Sequence, residues 1–222
     1  YDIIVDVRTD GLAYLLKGRK KYTKLFAKSY GKHAVESLMG VISSLHQQDP
    51  IPNPRIWLSD TERKNAINKL LRFGNKKRLL SICVGDIRRL VKCWDADKFV
   101  ELLKIQKENF SGVIFLGGDL DAERTSEVAS RINMPYINTI GSSLLETAAF
   151  LEHSILYVGP DSGIGHIATA VKTPAISFFS VDNPERCRPW GGSVICLKGA
   201  NNDARNISIE NVNSSIQEIL YE

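Results

Sequence analysis

From residue 76 onward, apolar runs of strand length alternate with stretches of helical spacing. "RLLSICV" (78–84), "GVIFLGG" (112–118), "PYINTI" (135–140), "SILYVG" (154–159), "AISFFS" (175–180) and "SVICLKG" (193–199) read as strands. Between them, "ADKFVELLKIQKENF" (96–110), "DAERTSEVASRI" (121–132), "SLLETAAFLEH" (143–153) and "GHIATAVK" (165–172) read as helices. The chain closes on "SIENVNSSIQEILYE" (208–222), with apolar residues at Ile209, Val212, Ile216, Ile219 and Leu220. Strands that are apolar throughout are buried on both faces, which is the signature of a parallel sheet covered by helices. The pattern therefore predicts a doubly wound, Rossmann-like α/β domain over residues 53–222. Its site is expected where the loops gather, at the carboxyl ends of the strands.

Residues 1–52 have a different pattern. One strand, "DIIVDVR", leads to a short apolar patch, "GLAYLL", then to a basic run and a helix over "HAVESLMGVISSLHQ". "QQDPIPNP" (47–54) reads as a linker, because its three prolines disfavour helix and sheet interior. A single parallel-type strand cannot make a sheet alone. This segment is therefore expected to pair outside the chain or to join the larger sheet.

Charge sharpens the contrast. The 222-residue chain carries a formal +4, and residues 1–52 hold eight Lys/Arg against five Asp/Glu. Five of the eight fall in "KGRKKYTK". Such a run is either a solvated face or an attraction to an anionic surface, such as phosphorylated lipid. No motif of nucleic-acid recognition accompanies it, so nucleic acid is not an expected partner. No apolar run approaches bilayer-spanning length, and no signal peptide opens the chain. Cys83, Cys93, Cys187 and Cys196 form no metal-ligand spacing with one another or with the four histidines. They read as reduced thiols of a cytosolic protein, with no metal site. The start at Tyr1, directly in a strand, suggests part of a longer polypeptide.

The densest chemistry lies in "YVGPDSGIGHIATAVK". Pro160-Asp161-Ser162-Gly163 falls on a strand-to-helix turn, where first-turn N–H groups and the helix dipole favour a phosphate. Gly163 and Gly165 would let a ligand approach the backbone, Ser162 adds a hydroxyl, and His166 lies one turn further on. Capping by Asp161 or Ser162 accounts for one of these residues, not for their density. The loop "GDIRRLVKCWDADKF" adds Arg88, Arg89 and Lys92 after another strand, with Trp94 placed to wedge the loop against the sheet. In "FLGGDLDAER", Gly117-Gly118 implies close backbone approach, and Asp121 or Glu123 can accept from a ribose or base. Asp121 serves equally well as a helix N-cap. The GxGxxG, P-loop and GxSxG motifs are all absent.

These features in this order resemble the nucleotide-binding half of glycosyltransferase family 9, the ADP-heptose:lipopolysaccharide heptosyltransferases. "GPDSGIGHIATAVKTPAISFFSVDNPERCRPWG" (159–191) is similar to the family's D-[ST]-G-x-x-H-x-x-x-A signature with its following strand and D-x-P-x-R segment. "KCWDADKFVELL" (92–103) resembles the family's Lys-Trp stretch, and "YDIIVDVR" a strand late in its first domain. The resemblance implies a GT-B architecture, with residues 1–52 as a partial acceptor-side domain and residues 53–222 binding the nucleotide sugar. It implies inverting, metal-independent transfer of heptose from ADP-heptose to the lipopolysaccharide inner core, without cofactor, in the cytoplasm or at the inner membrane face. Lys92 would contact the diphosphate, and Asp161 would sit beside the donor. Ser162, Gly163 and Ile164 would bind phosphate, with His166 in support, and Asp121 would hold the nucleoside. Departures stand at Cys93 and Asp95, and the Gly-Asp motif bearing the family's general base has no counterpart here, so the base is expected upstream of Tyr1. Two alternatives stay open: a non-catalytic nucleotide- or nucleotide-sugar-binding module, and a transferase using another nucleotide hexose.

Overall fold

The computed structural model describes residues 1–9, 11–27, 31–45, 50–74 and 78–221. They divide into two compact units, Tyr1–Asn53 with Glu185–Cys187, and Pro54–Pro184 with Arg188–Glu222.

In the first unit, β1 (Ile3–Asp6) is followed by the one-turn helix α1 (Leu12–Leu15), β2 (Lys20–Thr23) and α2 (Ala34–Ile42). β1 and β2 pair in parallel, with Ile3 opposite Lys20 and Asp6 opposite Thr23. This corrects the expectation that the strand pairs outside the chain or with the larger sheet. The missing partner is the basic run itself, whose "KKYT" is the second strand. The α1 crossover between them has the length that parallel pairing requires. Asp6 closes its start by accepting from the N–H groups of Arg8 (3.1 Å) and Thr9 (2.8 Å). At the start of α2, His33 Nδ1 accepts from Val35 N, while Glu36 reaches back to the His33 N–H. The last residues of the helix expected over 33–47, and the first of the linker expected over 47–54, fall outside the described residues. Residues 50–59 carry no regular structure.

The second unit opens with a helix that the apolar pattern did not reveal, α3 (Asp60–Leu70). Only Ala66 and Leu70 are buried in it, so its apolar stripe is too thin to read. Its start was legible nonetheless, in the Ser59–Glu62 capping box. Strands and helices then alternate: β3 (Leu79–Ile82), α4 (Ala96–Ile105), β4 (Gly112–Phe115), α5 (Ala122–Ala129), β5 (Tyr136–Asn138), α6 (Leu144–Glu152), β6 (Leu156–Pro160), α7 (Gly163–Ala170) and β7 (Ala175–Phe179). The short α8 (Pro184–Cys187), β8 (Val194–Lys198) and α9 (Ile209–Tyr221) complete the chain.

The six strands form one parallel sheet in the order β5-β4-β3-β6-β7-β8. Residue alternation divides the core into two layers. Leu80, Ile82, Val113, Phe115, Val158 and Phe178 face one layer, which includes Phe99, Val128 and Val212 of α4, α5 and α9. Leu79, Cys83, Ile114 and Tyr157 face the other, with Ala66, Phe150 and Ala168 of α3, α6 and α7. The expected α/β class and doubly wound parallel sheet are both present. Chain order reverses between β3 and β6, neighbours in the sheet whose connections run outward in opposite directions. A crevice opens at such a switch point, outside the carboxyl ends of the two strands.

Candidate functional site

A cavity of about 780 Å³ occupies that crevice. Lys92, Asp121, Asp161, Ser162, Gly163 and Ile164 all line it, so six of the seven candidate residues share one space. They arrive from three loops, after β3, β4 and β6. His166 is not among the lining residues; it is exposed on α7, and its charge bears on Asp161.

The helix end is open. Ser162 is the N-cap of α7, in extended conformation (φ −153°, ψ 168°), yet its side chain caps none of the helix's N–H groups. Its buried Oγ lies near the Tyr157 hydroxyl without a well-formed hydrogen bond to it. The first-turn N–H groups therefore receive no side-chain cap from Ser162, and Gly163 stands exposed at the cavity wall with no neighbour where a Cβ would be. Gly165 does different work from that expected. A Cβ there would come within 3.2 Å of Ser177 Oγ and 3.3 Å of Pro189 Cγ, so this glycine seats the helix on the sheet and does not admit a ligand.

Lys92 is positioned by the residues that follow it. Trp94 is fully buried; its indole N–H donates to Ile207 O (2.9 Å), and its ring packs edge-on against Phe99 at 5.0 Å between centroids. Arg124, buried in α5, donates to Trp94 O (2.6 Å). The wedge expected of Trp94 is thus present, and truncating so large a buried side chain costs about 3–5 kcal/mol. At the other end of the loop, Gly85 adopts φ +89°, and a Cβ there would lie 2.7 Å from Cys93 Sγ. From this anchored loop the Lys92 ammonium forms an ion pair with Asp182, which lies beyond β7. Sequence reasoning quoted Asp182 within the 159–191 block but gave it no role. The other two loop cations also line the cavity. Arg88 forks onto Asp86 (Nε–Oδ1 3.0 Å, Nη2–Oδ2 2.8 Å), which holds that carboxyl down at about 2, whereas Arg89 has no ion pair among the described residues.

The acidic groups differ in state. Burial pushes the Asp161 carboxyl above its usual value and neighbouring Asp182 pushes the same way, while Lys92 and His166 pull back. Asp182 is held low, chiefly by its hydrogen bond from Lys92. Asp121 is raised by burial and partly offset by the Gly118 N–H, which donates to its Oδ2 at 2.7 Å. Asp121 occupies the N-cap position of α5 without capping that helix; it braces the glycine turn instead. Gly117 must lack a side chain for this, since a Cβ would fall 2.6 Å from Asp121 Oδ2. Leu120, Leu144, Ile164 and Ile167 add apolar lining to the cavity. Leu144 is 72% exposed, so its side chain is accessible to a ligand in the cavity. Sequence reasoning missed this lining, because Leu144 read as the first turn of an ordinary helix.

Burial raises the thiols of the free cysteines Cys83 and Cys93, leaving both poor nucleophiles. Among the described residues, no group of three or more His, Cys, Asp or Glu is placed to hold a metal ion, and no helix is long and apolar enough to cross a membrane.

Fold and cavity together define a doubly wound domain with a helix terminus that lacks a side-chain cap at the cavity of its switch point. The profile of glycosyltransferase family 9 (heptosyltransferase) matches residues 13–217, and the chain belongs to that family. It is 30% identical over 181 residues to lipopolysaccharide heptosyltransferase 3 of Escherichia coli K12, spanning 80% of this chain and 52% of that protein. The chain thus covers about half the length of this relative. In fold it is similar to a family 9 glycosyltransferase from Veillonella parvula, with a TM-score of 0.85 at 19% identity, covering 99% of this chain and 73% of the other. It is also similar to E. coli heptosyltransferase WaaC with ADP, with a TM-score of 0.73 at 18% identity and the same coverage.

Proposed function

We propose that this chain is the donor-binding part of a heptosyltransferase, taking heptose from ADP-heptose for transfer to the lipopolysaccharide inner core. The observation that carries the reading is the uncapped N-terminus of α7 facing the cavity that Lys92 also lines. The diphosphate would lie on the N–H groups of Gly163 and Ile164 and on the Ser162 hydroxyl, with Lys92 closing over it. The apolar wall of Leu120, Leu144 and Ile164 would take the face of the base, and Asp121 the ribose. Asp161 would stand beside the transferred sugar.

In this reading the sugar is displaced directly, with inversion at its anomeric carbon. Charge that develops on the departing ADP meets fixed backbone dipoles and an ammonium group, already oriented before the bond breaks. The exposed basic residues Lys17, Arg19 and Lys20 of the first unit would draw an anionic acceptor toward the enzyme. Their attraction extends only about 8–10 Å at physiological salt.

Calorimetric titration of the chain with ADP, UDP and ADP-heptose tests the reading. Binding that prefers the adenine nucleotides and is lost in Lys92→Ala supports it. Equal binding of ADP and UDP favours another nucleotide hexose, and ADP-heptose binding in a full-length form without turnover favours a binding module. Indifference to all three ligands rejects the site.

A further inference from the structure

Three loops that follow adjacent strands, β3, β6 and β7, bring one ammonium and two carboxylates to the mouth of the α7 terminus. Lys92 pairs with Asp182, and Asp161 lines the same cavity as Lys92. The pair is accessible, with the Lys92 side chain 26% and that of Asp182 41% exposed, so exchange of partners needs no unfolding. Two carboxylates are out of place beside a helix terminus that attracts phosphate, unless one of them holds the lysine until the phosphate arrives.

We propose that Asp182 is the resident counter-ion of Lys92, and that the diphosphate of the nucleotide replaces it there. The inference rests on the diphosphate binding at this terminus, as argued above. Asp182 is faced by Lys92, Asp161 and Lys198, and Asp161 by Lys92, Asp182 and His166. When Lys92 turns to the phosphate, the partly exposed Asp182 carboxylate is left to solvent. Asp182 in this role sets how tightly the nucleotide is held and how readily it leaves.

The test is ADP titration by calorimetry at pH 7.5, with wild type, Asp182→Asn and Asp182→Ser. Serine is included because it cannot reach Lys92 as the asparagine amide oxygen can. Both variants are expected to bind ADP about two- to fivefold more tightly, the range of a partly exposed ion pair relieved. If the variants bind ADP no more tightly than wild type, Asp182 is not the displaced counter-ion, although loss of binding in Lys92→Ala would leave the diphosphate site standing. If wild type binds no ADP, the site and this inference fall together.

Discussion

Helices α6 and α7 begin with the same residue type and come to opposite ends. Ser143, at the N-cap of α6, accepts the Glu146 N–H on its Oγ at 3.2 Å, and Ser59 does the same for α3 at 3.3 Å. Ser162, at the N-cap of α7, accepts nothing from its helix on its side chain, although its carbonyl takes the Gly165 N–H at 3.2 Å. Its hydroxyl is buried near Tyr157, and Gly163 and Ile164 of the first turn line the cavity. A serine before a helix therefore does not by itself announce a site or a cap.

The contrast can be broken most sharply at Lys92. Lys92→Ala is expected to weaken ADP binding about 10–100-fold, the worth of a charge-assisted contact to phosphate. The melting temperature should hardly move, because the ion pair lost with Asp182 is partly exposed. An ADP affinity within twofold of wild type would remove the ammonium from the site. The two serines come next, as a matched pair. Ser162→Ala should cost about fivefold in ADP affinity and leave urea unfolding nearly unchanged. Ser143→Ala should lower stability by about 1 kcal/mol, the usual value of an N-cap, and leave ADP affinity alone. Swapped results would mean that α7 is the structural end and α6 the functional one.

The smallest effect probes the structural side alone. Glu152, at the end of α6, takes a forked pair of hydrogen bonds from Arg63 of α3 (2.8 and 3.0 Å), which holds its carboxyl below the usual 4.5. A depressed carboxylate contributes stability above its unfolded value and loses it as pH falls through the lower, folded one. Glu152→Gln should thus cost about 0.5 kcal/mol at pH 7, discounted for partial exposure, and progressively less as the solution is acidified below the usual carboxyl value, as read by thermal melts across that range. A cost that persists in acid would assign the effect to packing.

Much of the second unit could be read from local pattern because its strands are buried on both faces and its helices are amphipathic. The order of those strands could not. Nothing in "LLSI" or "LYVGP" says that they will be neighbours, since that is settled by how helices pack on each face. The switch point, and with it the meeting of Lys92 with Asp161, is a tertiary outcome. The polar helix α3 escaped notice for want of an apolar stripe, and β2 because lysines disguised a strand whose partner is only four residues long. At the site, the residues in the dense "GPDSGIGH" turn stood out, whereas Asp182 did not. It acquires meaning only from Lys92, 90 residues away along the chain.

The burial of Trp94 has one more consequence. With the indole pegged to Ile207 and the adjoining carbonyl held by Arg124, the backbone two residues before it is moored, and the ammonium moves only on the tether of its own four methylenes. The loop acts as a fixed crane and not as a swinging lid. In the proposed reading, molecules would then be sorted by distance: those that present negative charge within the sweep of that arm would be gripped, and those that present it further out would drift past.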